Sequence, residues 1–263
     1  MRLSVSFENT AGTEPDRSGP VQVGWFLSEM KGGVIYDPPE RVRGAERNKT
    51  HAKSASRCPA VINLESRHFM IRCPFDLNLQ FVRDEKGQPQ LRNLNGQMSS
   101  IRSNKLRDKV HLTAEHEWRH AGVPTVQVQT PYVFVSDEPV YMAQVPPFMH
   151  YLREPWPGTL FGGRFPINVW PRPLMWAFEW HDTSKPLVIR RGDPWFYATF
   201  ETLPADRGIV VEEAERTPEL LDYMELISGA VNFVNQTFSL FEAAEARRPE
   251  TLVKSVRRRG GAG

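Results

Sequence analysis

His116-Glu117-Trp118-Arg119-His120 has the spacing H-E-x-x-H. On an α-helix, two histidines four residues apart project from one face and can grip zinc, and the glutamate between them can activate metal-bound water. That chemistry predicts a zinc-dependent hydrolase, with Glu117 as catalytic base and His116 and His120 as metal ligands. The flanking residues divide on it. Val110, Ala114, Trp118 and Ala121 give a helix here a thin apolar face, and Gly122 followed by Pro124 would end it. The preceding turns, SNKLRDKVHLTAE, are too polar for a helix buried behind an active site. The competing reading of residues 98–121 is a solvent-facing helix or strand.

The five residues resemble the zinc metallopeptidase motif, but the longer metzincin form needs Gly and a third His where this chain has Val123 and Val126. A second metal arrangement would use Glu179 and His181, on one strand face, with His150 or His68, as a two-histidine, one-carboxylate iron site. His181-Asp182 lacks the H-x-D spacing of iron oxygenases, so Glu179 and His181 are expected to face water. Cys58-Pro59 and Cys73-Pro74 could in principle ligate haem, and read more simply as small buried or strand-end residues. Gly32-Gly33, Gly158 and Gly162-Gly163 fit neither phosphate-binding fingerprint. No cofactor is required by these patterns; zinc and iron are the candidates.

Arg164, Trp170, Arg172, Trp176 and Trp195 could line an aromatic and cationic pocket for a sugar or nucleobase. Against this, tryptophans also fill β cores, and alternation in LMWAFEWH (174–181) already turns Trp176 and Trp180 inward.

The elements that would position these groups are mostly strands. The chain has 263 residues with 22 Pro and 28 aromatics, a mixture that leaves few long windows for helix. Net charge is +2, which gives no argument for nucleic acid or membrane, and no apolar window is long enough to span a bilayer. Two cysteines point to a reducing, cytoplasmic setting. The strands read as LSVSF, VQVGWFL, CPAVINL, HFMIRCPFDLNLQFV, then VPTVQVQT, YVFVS and VYMAQV as a meander, then LMWAFEWH, LVIRRGDP and WFYATFE. Residues 84–97 suit a hairpin or loop. Between Arg41 and Arg57 a run balanced at about +5 lacks the aromatics that stack bases, so it reads as a solvated loop. After Thr217 as N-cap and Pro218, an apolar a/d series from Leu220 to Phe241 predicts one helix of about thirty residues, roughly 45 Å long. Its stripe either lies on a sheet of its own chain or pairs with a second copy.

The run CPAVINLESRHFMIRCPFDLNLQF, through QVQTPYVFVS, to GRFPINVWPRPLMWAFEWHDTSKPLVIRRGDPWF is similar to a family of uncharacterised bacterial and phage proteins over about residues 58–200. The resemblance implies one all-β domain and carries no catalytic residue.

The reading is a mainly β protein, a β-sandwich or jelly-roll-like domain with one long C-terminal helix. It divides into 1–57 (strands and basic loop), 58–205 (the β core), 206–250 (the helix) and 251–263 (a flexible basic tail). Its expected function is non-catalytic binding or assembly, with a homo-oligomer formed through residues 218–247. The pocket residues would be Arg164, Trp170, Arg172 and Trp195, and the alternative is the hydrolase built on His116, Glu117 and His120.

Overall fold

The computed structural model describes residues 19–28, 34–43, 54–230 and 237–256. In chain order the larger elements are β1 (Val21–Leu27), β2 (Glu40–Arg41), α1 (Pro59–Ser66), β3 (His68–Arg72), β4 (Leu77–Arg83) and β5 (Pro89–Asn93). There follow α2 (Ser103–Lys109), β6 (Val110–Leu112), β7 (Thr125–Gln129), β8 (Tyr132–Val135), β9 (Val140–Val145), β10 (Gly158–Leu160) and β11 (Arg164–Pro166). The last described elements are β12 (Met175–Trp180), β13 (Leu187–Ile189), β14 (Pro194–Thr202), β15 (Ile209–Glu213), α3 (Pro218–Ala230) and α4 (Thr237–Glu245).

The protein is mainly β. The described strands form four sheets, ordered β15-β1-β8, β10-β12-β7-β6, β11-β9-β14-β3-β2 and β13-β4-β5. The strands are thus divided among several sheets, and β1 runs parallel to β15. One large core joins all four. Val23, Leu77, Trp176, Phe178, Trp195 and Phe200 all belong to it. β1 therefore shares the core of residues 58–205.

Two local expectations are corrected, and a third, the hairpin at 84–97, is met. CPAVINL is a helix, α1, because Pro59 sits at its N-terminal position, where a missing N–H costs nothing. The runs VPTVQVQT, YVFVS and VYMAQV are strands but not a meander. β7, β8 and β9 enter three different sheets, with Thr130 and Pro131 and then Ser136 to Pro139 turning the chain between them. The segment 84–97 is the turn and second strand of a β4–β5 hairpin. LSVSF lies outside the described residues, as does most of the basic run, residues 44–53.

At the C-terminus, Thr217 caps α3 as expected, its hydroxyl accepting the Leu220 N–H at 3.2 Å. The helices are short, 13 residues in α3 and 9 in α4. The continuity that one long helix requires falls at 231–236, outside the described residues. Leu220, Tyr223 and Ile227 of α3 and Leu240 and Ala244 of α4 pack on Phe26, Val133 and Val135, the outer face of the β15-β1-β8 sheet. This much of the apolar stripe is covered by its own chain. The tail is docked as far as it is described. Leu252 is buried, Ser255 bridges Ala214, and the Asp137 carboxylate accepts the N–H groups of Leu252 (2.5 Å) and Val253 (3.3 Å). Residues 257–263 lie outside the described residues. Among the described residues no helix is long and apolar enough to cross a membrane.

Candidate ligand-binding cleft

A strand buried on one face must put something on the other. In the β10-β12-β7-β6 sheet, Trp176, Phe178 and Trp180 of β12 and Val126 and Val128 of β7 enter the core. The opposite face carries Met175, Ala177 and Glu179, and in register beside the last two, Gln127 and Thr125. That second face is the floor of an open cleft of about 730 Å³.

Its wall is built by close backbone approach. A Cβ on Gly162 would lie 2.0 Å from the carbonyl oxygen of Gln144 in β9, and a Cβ on Gly158 1.9 Å from that of Glu179. Only glycine lets the start of β10 and the β10–β11 connection come this close. These glycines, which match no phosphate-binding pattern, instead shape the cleft. From β11, Arg164 stacks over Tyr141 at 3.9 Å and pairs with Glu201 at 2.7 Å. At the far end Trp170 packs on Phe241 of α4, ring centroids 5.7 Å apart, and Arg172 is exposed. Among the described residues Arg172 has neither an ion-pair nor a hydrogen-bond partner. In the wall, Gln144 is 6% exposed, and its Nε2 has no partner among the described residues.

At the near end Arg119 lies over Phe161, 4.4 Å from the ring centroid, and holds Glu179 by two hydrogen bonds, Nε to Oε1 at 2.6 Å and an Nη to Oε2 at 2.7 Å. The Glu179 side chain is 3% exposed, against 52% for Arg119. The Arg119 hydrogen bond holds the Glu179 carboxyl below its ordinary pKa, outweighing burial, which pushes the other way; the charges of His120 and His181 assist. Glu179 thus does not face water. Its burial comes from a guanidinium sixty residues away in sequence.

The segment 115–120 is no α-helix. Glu115–Glu117 is a single 3₁₀ turn, and His116 and His120 are both exposed beyond any shared helical face. Side-chain anchors explain this. Arg83 of β4 pairs with Glu115 at 2.7 Å, while Trp118 is buried against Phe81 with its indole N–H donating to the Thr113 carbonyl. Glu117 lines the cleft and accepts the Ala114 N–H at 3.0 Å. His181 Nε2 lies 4.0 Å from Glu179 Oε2, but His68 and His150 sit apart, around Tyr197 of β14. Among the described residues no group of three or more His, Cys, Asp or Glu is placed to hold a metal ion.

Of the pocket residues expected together, Arg164, Trp170 and Arg172 line this cleft. Trp195 does not. Both faces of β14 are buried, and Trp195, wholly enclosed, packs on Phe75, Trp176 and Phe196. Cys58 is exposed, and Cys73 is buried with its thiol donating to the Phe75 carbonyl; burial pushes that thiol far up from its ordinary pKa. Sequence reasoning missed Arg119 and Gln144 as site residues. Nothing in the local pattern signals either one, because each gains its role from a partner distant in the chain. Comparison with protein-family models, with curated proteins and with solved structures finds no match.

Proposed function

We propose that this protein is a non-catalytic binding or assembly protein whose ligand site is the cleft on the polar face of the β10-β12-β7-β6 sheet. The observation that carries the reading is the state of the cleft's charged groups. Glu179 is locked by Arg119 and held ionised with a lowered pKa, which makes it a weak base, and Glu117 is engaged by its own turn. Arg172 remains open to a ligand, and the buried Gln144 amide nitrogen lacks a partner among the described residues. Concave apolar walls with a few convergent polar groups are the usual form of a small-molecule site.

The bacterial and phage setting rests on the resemblance over residues 58–200. Self-association through residues 218–247 draws support from Leu226, 49% exposed on α3. Light scattering of the full chain beside Leu226→Lys tests it; a monomer in both removes assembly from the proposal.

Ligand-observed NMR with a library of small aromatic and hydroxylated fragments tests the cleft. Ala177→Phe places a ring on the floor and should abolish fragment binding without unfolding the chain. Binding indifferent to that substitution refutes the site. Stoichiometric zinc in the purified protein, lost in His116→Ala, would put the hydrolase in place of this reading.

A further inference from the structure

The chemistry of the ligand can be narrowed, on the basis of the binding reading above. Three guanidiniums line the cleft, and two are committed, Arg119 to Glu179 and Arg164 to Glu201. One cation, Arg172, is left without a partner among the described residues. A single open guanidinium matches a single carboxylate. A di- or triphosphate would need more positive charge than the cleft can release.

The second observation is Gln144. It is 6% exposed, it lines the wall, and its amide nitrogen lacks any acceptor among the described residues. The nitrogen itself is closed to solvent, so Gln144 adds polarity to the wall and not a direct ligand contact.

The third is the character of the remaining surface. Gln127 is an uncharged group that both donates and accepts, and the Thr113 hydroxyl, which donates to the Thr125 carbonyl at 3.3 Å, can still accept, the combination a polyhydroxylated ring requires. Phe161 (45% exposed), Phe165 and Phe241 offer apolar faces for its C–H surface. The floor from Met175 to Glu179 runs four residues along β12, about 13 Å, which is long enough for more than one ring. A peptide added as an extra strand fits poorly, because the neighbouring edge strand β11 is three residues long and ends in Pro166, which has no N–H.

We propose that the cleft binds an acidic oligosaccharide, with its carboxylate on Arg172.

The test is calorimetric titration of the full chain at low ionic strength with trigalacturonate, a hyaluronan oligosaccharide and sialyllactose, each beside its methyl ester. The ester keeps the shape of the sugar and removes its charge. The expected result is that at least one acid binds, and that both its ester and the Arg172→Met variant weaken binding about 10- to 100-fold, the value of a hydrogen bond to a charged group. Arg153→Met, outside the cleft, should leave it unchanged. Arg172 is exposed, so its variant is expected to fold as wild type, which equal melting temperatures would verify. No binding by any acid overturns the inference, as does equal binding of acid and ester or an unaffected Arg172→Met. If fragments still bind and Ala177→Phe still abolishes their binding, the cleft reading survives that failure; if they do not, both fall.

Discussion

Replacing Gly162 by Ala tests whether the cleft wall depends on backbone contact. The added Cβ would sit 2.0 Å from the Gln144 carbonyl oxygen, 2.8 Å from its carbonyl carbon and 3.0 Å from its Cβ. Two of these atoms are backbone, so no rotamer change relieves the clash, and the strands must part by about 1 Å to restore an ordinary contact. Parting them strains the Gln144 N–H to Gly163 carbonyl hydrogen bond, already 3.3 Å long. Overpacking costs about 1–3 kcal/mol and the lost hydrogen bond about 1 kcal/mol, together roughly 2–4 kcal/mol. For a chain of this size that is roughly 5–15 °C in Tm. The internal control is one residue away. A Cβ on Gly163 meets nothing within 4 Å, so Gly163→Ala should be neutral or slightly stabilising. Thermal unfolding followed by circular dichroism compares the two. Equal melting temperatures would show that the β10–β11 connection does not press on β9, and the wall as described would be wrong.

Trp195→Ala empties a wholly buried site among Phe75, Trp176 and Phe196 and should cost about 3–5 kcal/mol in chemical denaturation; a loss under about 1 kcal/mol would place this side chain outside the core. Tyr223→Phe removes the hydroxyl within reach of the Val169 (2.8 Å) and Ala244 (3.1 Å) carbonyls, so it should destabilise by about 1 kcal/mol, with earlier hydrogen exchange in α4; unchanged exchange would argue that α4 is held by apolar contact alone. Glu179 is a carboxyl with a lowered folded pKa, so its stabilisation is present above the unfolded glutamate pKa, about 4.3, and fades as pH falls through the folded value. The Tm gap between wild type and Glu179→Gln should therefore be widest near neutral pH and narrow below about pH 4. A gap that widens on acidification would reverse the assigned sign.

The strand pattern was readable where one periodicity decided it. β1, β4, β7, β8, β9, β12 and β14 fall on runs that alternate or are rich in valine and aromatics, because a pleat sends successive side chains to opposite faces. Partners were not readable from those runs. β7, β8 and β9 look like neighbours in sequence, yet each pairs with a distant strand, β12, β1 and β14 respectively. Pairing depends on which edges the whole fold leaves open, and a window of ten residues contains no term for that. CPAVINL failed for a different reason. Its Val61 and Ile62 favour a strand weakly, and the proline at the helix start was the stronger local fact.

The cleft was half legible for the same physical reason. Alternation in β12 divides its residues correctly into a Trp/Phe face and a Met175, Ala177, Glu179 face, but says nothing of what covers the second. Reading that face as wet followed from its polarity. In the folded chain Glu179 is among the least exposed charged groups, because Arg119 supplies both of its hydrogen bonds and lies over Phe161. The same arginine sits inside the H-E-x-x-H run, where helical spacing drew notice to the two histidines on either side. What fixes the segment's role is the pair of anchors at Trp118 and Glu115, which turn it away from helix and deliver Arg119 to the sheet. A carboxylate on a strand and a guanidinium on a turn sixty residues earlier make a site only once the strand's other face has been buried. It follows that Arg119 and Glu179 should be tested as one unit: the double variant Arg119→Met/Glu179→Gln should lose less stability than the two single variants summed, since either single change leaves its partner without a counter-charge. Strict additivity would mean that the pair is incidental to the cleft.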